Sequence, residues 1–430
     1  MLKKKKSYVV PFVGFTIMII IGAILLYLPI SNNIDISFKD ALYVSISAIS
    51  CTGLSTVVLI EQFNFLGQFI IAILMEIGAL GFIIFISYIW AKKNKKMQMS
   101  DIIMVNDNIN GDDYSTIKEY SLFIFDIMIK IQLLGSIFLS IRFVPEYGIV
   151  KGIWYSIFHT ISTFANSGFD LFGSQSMVMY RNDIYIQIVL TILMLFGSIG
   201  VFAIEDLKNH KLKNFNKLKL QTKIILVYSV ILLIVPTILL MIFESNMSVI
   251  NAMFITTSSR STGLTVLNIS EMSSASKFLL TILMFIGGSP ASTAGGIRIV
   301  VFAIIISTMI STMRGRINTV IFWKKIPDSI VRKAFSVFLL FLIITIIGIM
   351  CYSYCNKEAD LVDIALECVS AITNTGFAAV DPTTITTAIE IILMILMYIG
   401  RIGPMALVTI FVNDEPVDKL VEYPSENVIL

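Results

Sequence analysis

Four short segments of the 430-residue chain repeat one arrangement. They read Cys51-Thr52-Gly53, Asn166-Ser167-Gly168, Ser261-Thr262-Gly263 and Asn374-Thr375-Gly376, followed by Leu54, Phe169, Leu264 and Phe377. Six positions before the glycines stand Ser47, Ser162, Thr257 and Ser370. These residue types offer no general base, nucleophile or transition-metal ligand set. Their chemistry is that of the main chain. Beside a glycine, carbonyl oxygens approach a cation with no Cβ in the way, and rings of carbonyls replace a hydration shell. One Thr-Gly pair reads as a turn; four in the same register read as a repeated site.

Each segment follows an apolar stretch of about ten residues, half of the roughly 20 that a membrane-spanning helix needs. Short apolar segments ending in irregular backbone survive at membrane depth only inside protein or against a water-filled cavity. Four of them can close a ring about one axis, with negative helix C-termini turned toward a cation. Composition supports a membrane setting: 56% of residues are apolar and 14% charged, with a mean hydropathy of +0.86. A soluble domain carries about 25% charged residues. A secreted disulfide scaffold, a disordered chain and a soluble enzyme are therefore excluded. The cysteines (Cys51, Cys351, Cys355, Cys368) form no CxxC pair, and His159 and His210 leave little for metal or acid–base chemistry. No nucleotide-binding or phosphorylated-aspartate motif is visible, so the chain reads as no enzyme, with no cofactor of its own.

Eight hydrophobic stretches long enough to span are expected, at about residues 9–30, 68–90, 121–143, 185–204, 224–243, 278–310, 334–355 and 388–412. Basic runs at the N-terminus, 92–96, 208–223 and 314–333 place both termini and these loops in the cytoplasm by the positive-inside rule. Their charge is accounted for by a solvated face, with docking or dimer surfaces and attraction to anionic lipid equally compatible with the composition, and no nucleic-acid site is seen. The spans repeat as well: ILMEIG ending at Gly78, ILMLFG at Gly197, ILMFIG at Gly287 and the looser LMYIG at Gly400. The expected organisation is all-α, with four tandem units (1–100, 101–219, 220–325 and 326–430), each a span, a re-entrant helix and a span.

The sixth span is too long for a bilayer, since residues 277–311 would extend about 50 Å as one helix. Its middle is Gly287, Gly288, Ser289, Pro290, Ala291, Ser292, Thr293, Ala294, Gly295 and Gly296. A lipid-facing helix cannot continue through it, because its freed backbone groups need partners. Either a kinked helix satisfied by its neighbours or a loop across the pore fits. Arg401 is an intramembrane charge, expected to face the pore and hydrogen-bond the 287–296 carbonyls.

With these residues in view, the sequence resembles the KtrB/TrkH superfamily of potassium transporters, and KtrB more than TrkH. That resemblance implies four M1–pore helix–M2 repeats around one pore, like a potassium channel, in the plasma membrane of a bacterium. It assigns Cys51–Gly53, Asn166–Gly168, Ser261–Gly263 and Asn374–Gly376 to a potassium filter, and 287–296 with Arg401 to an intramembrane gate. Pro290-Ala291 and Arg298, where lysine is common, depart from the family pattern. The resemblance also implies a homodimer, sodium as an activator, and a cytosolic ring of KtrA-type subunits binding ATP, ADP and cyclic di-AMP. The rival reading is a secondary cation symporter with alternating access, although such folds are built from two halves rather than four like units.

Several other residues carry expectations. Arg260 is expected to anchor the third re-entrant segment through backbone carbonyls. Glu367 and His159 both stand nine residues before a glycine, on the re-entrant helices, and Glu367 is read as a cation attractor or a buried hydrogen-bonding group. Asp126 and Lys130 should neutralise one another at i, i+4. Glu76 faces the cavity or another helix, and Asp170 could add negative potential at the mouth.

Overall fold

The computed structural model describes residues 2–80, 114–174, 176–210, 212–245, 247–380 and 385–403. The second half of the second expected span, the basic run at 92–96, the end of the eighth span and the C-terminal tail lie outside them. Among the described residues the chain is all-helical apart from one two-stranded ribbon. The helices are α1 (Leu2–Tyr27), α2 (Phe38–Ser50), α3 (Leu59–Gln62), α4 (Phe65–Leu80), α5 (Tyr114–Tyr147), α6 (Ile149–Phe164), α7 (Ile184–Ile199), α8 (Val201–His210), α9 (Leu220–Phe243), α10 (Val249–Ser258), α11 (Ser274–Ile286), α12 (Ile299–Met313), α13 (Asp328–Cys355), α14 (Leu361–Ile372) and α15 (Thr387–Ile402).

Long apolar helices stand outside and short ones inside. Leu122–Tyr147, Leu220–Phe243 and Asp328–Cys355 are each long and apolar enough to cross a bilayer. Their outward faces expose Leu133, Ile137, Ile141, Ile234, Ile238, Ile343 and Ile347, as expected where the surrounding solvent is hydrocarbon. The short helices α2, α6, α10 and α14 are buried by comparison, down to hydroxyl residues such as Ser45, Ser47, Thr160, Ser162, Thr256 and Ser370. Between helices in lipid the packing term is dispersion and hydrogen bonding rather than water release, which is why so many small hydroxyl residues line these contacts.

The packing order is circular. Each short helix rests on the long helix before it, as α2 on α1, α6 on α5, α10 on α9 and α14 on α13. Each also rests on the helix that follows the preceding short one: α6 on α4, α10 on α7 and α14 on α11, while α2 packs on α15 and closes the circle.

Two expected spans are not single rods. The sixth breaks between α11 and α12. The fourth bends by 94° between α7 and α8, at Gly200 with φ +85. The Gly197-Ser198-Ile199-Gly200 stretch marks the place, but apolar residues resume at Val201, so 185–204 reads as one span by hydropathy.

Tyr352 of α13 is fully buried and donates to Glu367 Oε2 of α14 at 2.7 Å. Glu367 Oε1 accepts from the Val380 amide at 2.9 Å, so the carboxylate ties an outer helix to the segment leaving the fourth glycine. Tyr352→Phe should lower stability by about 1.5–3 kcal/mol, the range for a hydrogen bond to a charged group. Thermal unfolding in detergent measures this, and an unchanged midpoint would refute the tie.

Candidate functional site: four glycine segments and the loop beneath them

The four glycine segments meet. Gly53, Gly168, Gly263 and Gly376 have φ of +90, +73, +77 and +102, a region open to glycine and poorly tolerated by bulkier residues. A methyl group on Gly53 would overlap the Ser167 carbonyl oxygen, and one on Gly168 the Thr262 oxygen. On Gly263 it would strike the Thr375 oxygen, and on Gly376 the Thr52 oxygen. Each glycine thus abuts the carbonyl before the next glycine, and the fourth returns to the first. The result is a closed ring of main-chain oxygens at the C-terminal ends of four short helices.

Local hydrogen bonds set this backbone. Cys51, Asn166 and Asn374 adopt left-handed φ values of 56, 52 and 53, turning the chain off the helix end. Behind them the Ser47, Ser162 and Ser370 carbonyls accept from the Thr52, Ser167 and Thr375 amides at 2.8–2.9 Å. Ser47 and Ser370 hydroxyls accept from the Gly53 and Gly376 amides at 3.0 and 2.9 Å. Ser162 instead donates to the Phe169 carbonyl at 2.6 Å. The third segment departs from the expected register. Ser258 serves there, donating to Leu264 at 2.5 Å, while Thr257 bonds back to Met253.

Side chains then join one segment to the next. Thr262 donates to Asn166 Oδ1 at 2.5 Å, and Asn374 Nδ2 donates to Thr52 Oγ1 at 3.0 Å. His159 pins the second segment: its Nδ1 lies 2.7 Å from the Tyr155 carbonyl and its Nε2 accepts from the Leu171 amide at 3.1 Å. The amide donor at Nε2 requires the neutral Nδ1–H tautomer. Glu367 holds the equivalent position in the fourth segment, so both residues staple the outgoing strand, and neither is free to attract cations.

The second repeated glycine has a packing reason. A Cβ on Gly78, Gly197 or Gly400 would overlap the carbonyl of Ile49, Phe164 or Ile372, each four residues before a ring glycine. The third unit differs, because Gly287 packs against Gly295 of the 287–296 loop.

Ten residues before these glycines stand Gln68, Gln187, Lys277 and Glu390, a register the sequence reading missed. Three of them reach the next short helix. Gln68 Oε1 accepts from Trp154 Nε1 at 2.8 Å, Lys277 pairs with Asp363 at 2.7 Å and Glu390 with Lys39 at 2.6 Å. The two pairs are charge contacts rather than well-directed hydrogen bonds, since Asp363 Oδ1 and Glu390 Oε2 lack a properly angled donor. Glu390 holds the Lys39 ammonium above the usual lysine range. Gln187 turns back to the Tyr180 and Arg181 carbonyls.

The 287–296 loop lies under the ring and is tied to every unit. Ser289 and Thr293 amides donate to the Ser198 and Gly197 carbonyls at 3.1 and 3.2 Å. Thr293 Oγ1 donates toward the Phe164 and Gly197 carbonyls at 3.0 and 3.1 Å, and accepts from Asn166 Nδ2 at 2.6 Å. The Gly295 amide donates to Ser261 Oγ at 3.0 Å, and a Cβ on Gly295 would overlap the Thr373 carbonyl. Gly288 closes the loop on Gly295 at 3.2 Å, and Ile299 bonds back to Gly288 at 2.8 Å. Gly296 turns with φ +82 and Ala291 with φ 54. Ala294 is buried and Pro290 half-buried, with the Pro290 carbonyl against Gly200. Ser292 donates to the Ser289 carbonyl at 2.6 Å. Two guanidinium groups clasp the loop. Arg298 donates to the Ser289 carbonyl at 3.1 Å and to that of Ala294. Arg401 donates to the Thr293 carbonyl at 3.0 Å and also to the Gly78 carbonyl.

Elsewhere, Arg260 is 2% exposed, but its contact is the Ser229 hydroxyl at 3.4 Å, so the backbone anchor expected of it is not what the structure holds. Glu76 is on the side of Gln132 of α5, and its buried Oε2 has no hydrogen-bond partner among the described residues. Asp126 and Lys130 form their i, i+4 pair at 2.6 Å. Asp170 accepts from Ser176 and the Phe172 amide at 2.5 and 3.0 Å; burial pushes its carboxyl up against these bonds, weakening it as a source of negative potential.

The Lys277–Asp363 joint is 9% and 19% exposed at its side chains. Lys277→Met strands a largely buried carboxylate and should cost about 3 kcal/mol, while Lys277→Asp with Asp363→Lys should recover most of it. A double-mutant cycle on unfolding in detergent measures the coupling; additive losses would mean the pair does not hold the units together.

A family model, TrkH, described as a cation transport protein, matches residues 5–423. The potassium/sodium uptake protein NtpJ of Enterococcus hirae is 32% identical over 97% of this chain and 95% of its own length. The Ktr system potassium uptake protein B of Bacillus subtilis is 33% identical with the same two coverages, 97% and 95%. The potassium transporter TrkH from Vibrio parahaemolyticus has the same fold, with a TM-score of 0.77 at 18% identity over 95% of this chain and 85% of that one. The closed ring of glycine segments therefore sits in an integral membrane protein, and the chain belongs to the TrkH family of cation transport proteins.

Proposed function

We propose that this chain is the ion-translocating subunit of a Ktr-type potassium uptake system, with four M1–pore helix–M2 units around one conduction path. The closed ring carries the reading: four glycines, each against the carbonyl of its neighbour's Thr52, Ser167, Thr262 or Thr375. Main-chain oxygens so arranged replace the hydration of a monovalent cation without a fixed negative charge, and four helix C-termini add favourable potential. An inside-negative membrane supplies about 2.3 kcal/mol per charge per 100 mV, so uptake needs no chemical step in this chain. Relatives bearing potassium, or potassium and sodium, in their names support the choice of ion. In this reading both termini face the cytoplasm of a bacterium, two copies form a homodimer, and a cytosolic KtrA-type nucleotide-binding ring regulates uptake, with sodium as a stimulating ion.

The 287–296 loop is the gate. It bonds to the end of the second pore helix and to the third filter segment and packs on the end of the fourth pore helix, so it obstructs the path directly beneath the ring. Arg401 adds a positive charge there and bridges the loop to the first unit. Opening requires these bonds to break together, which makes the loop a two-position element rather than a soft plug.

The filter is tested by uptake in a potassium-uptake-deficient bacterium and by ion competition. Gly→Ser at positions 53, 168, 263 or 376 should reduce potassium-over-sodium discrimination about tenfold, the factor given by 1.4 kcal/mol. Intact discrimination in folded variants would sink the filter assignment. For the gate, Arg401→Gln removes two charge-assisted bonds of about 1.5–3 kcal/mol each. It should raise potassium flux more than tenfold if those bonds hold the loop closed. Deletion of 289–294 should do the same, and wild-type flux in both would leave the loop without a gating role.

A further inference from the structure

Between α12 and α13 the chain forms a small hairpin whose design the conduction path does not explain. Strands β1 (Val320–Ile321) and β2 (Lys324–Lys325) pair with Ile321 opposite Lys324, leaving Phe322 and Trp323 as a two-residue turn. Both have positive φ, 48 and 63. A turn with φ > 0 at both central positions is the type I′ pattern, which strongly favours Asn-Gly. Two bulky aromatics there are a costly choice, and Trp323 is 99% exposed at the tip.

The hairpin is firmly seated. Ile321 and Ile326 are buried in a cluster with Ile224, Ala303, Ile304 and Ala334. Thr319 Oγ1 lies 3.0 Å from Thr308 Oγ1, and the Ile326 amide donates to the Thr319 carbonyl at 2.9 Å. Ile304 lies nine residues before the end of α12, which is about 14 Å along a helix. The hairpin therefore lies back along the apolar flank of the bundle instead of hanging below it. The connection from 314 to 327 carries Arg314, Arg316, Lys324 and Lys325 and no acid, and Ile317 is 97% exposed.

We infer that this hairpin is an interfacial anchor that binds anionic phospholipid, with Trp323 at headgroup level and Lys324 and Lys325 against the phosphates. Tryptophan partitions to the membrane interface because its ring is apolar and its N–H is polar, and adjacent lysines are drawn to anionic headgroups. A basic, acid-free tip beside apolar helix flanks matches that chemistry better than it matches a second copy, which would bring like charges together. The inference needs the bundle to sit in a bilayer but does not need the glycine ring to be a filter.

The test uses the full chain in nanodiscs of phosphatidylcholine, alone or mixed with phosphatidylglycerol. Trp90, Trp154 and Trp323 are the chain's tryptophans, so subtracting the spectrum of Trp323→Phe isolates the tip. Its emission should be quenched by lipid brominated near the headgroup and shielded from iodide, more strongly with phosphatidylglycerol. Lys324→Gln with Lys325→Gln should weaken phosphatidylglycerol binding about twenty-fivefold, at about fivefold per lysine. Phe322→Asn with Trp323→Gly installs the preferred turn, so the hairpin, thermal midpoint and potassium uptake should be kept while preferential phosphatidylglycerol retention falls. Free access of iodide in both lipid mixtures overturns the inference. So does lipid preference unchanged in the Asn-Gly variant, or shielding that appears only with added cytosolic protein or at raised protein concentration.

Discussion

Everything in this molecule is arranged around backbone that cannot be left unpartnered at membrane depth. Four helices stop in the middle of the bundle, and each exposes carbonyls that water cannot reach freely. The solution is mutual: the carbonyls of one segment crowd the glycine of the next, so closely that a single methyl group fits at none of the four positions. The same crowding that satisfies geometry also concentrates oxygen atoms about one axis.

The second glycine of each repeat obeys the same rule one layer out. Gly78, Gly197 and Gly400 let a long helix press directly on the carbonyls of Ile49, Phe164 and Ile372. The short helices are thereby held from behind while hydroxyl and amide side chains fix their ends. Around the circumference, Gln68–Trp154, Lys277–Asp363 and Glu390–Lys39 lock neighbouring units at equal height.

The sequence displayed the ring more openly than its supports. Glycine at a left-handed, methyl-excluding position has few substitutes, so the pattern at Gly53, Gly168, Gly263 and Gly376 stands out in every unit. The supports are chemically interchangeable and therefore hidden. Ser47 accepts, Ser162 donates, and Ser258 takes over from Thr257, though all are hydroxyl residues near a helix end. His159 and Glu367 play one role with different chemistry. The inter-unit positions hold two glutamines, a lysine and a glutamate, and only their common offset from the repeat glycine could have revealed them. The bend at Gly200 is hidden because Val201–Ile204 restore the apolar run directly after it.

The third unit shows what is gained by breaking the pattern. In the other three, the helix continues for two described residues past its glycine, which packs on the end of the short helix. At Gly287 the chain instead turns away with φ +70 and packs on Gly295, so the 287–296 segment occupies the space beneath the ring. That space is available partly because α7 and α8 bend apart at Gly200, whose neighbour Val201 donates to the Ala291 carbonyl at 3.2 Å. The loop then borrows partners from the second, third and fourth units, and Arg401 joins its Thr293 carbonyl to the Gly78 carbonyl of the first. A segment stabilised by many modest bonds to separate bodies is sensitive to small displacements of any of them. The asymmetry of one repeat thus places a segment with partners in several units directly against the ring.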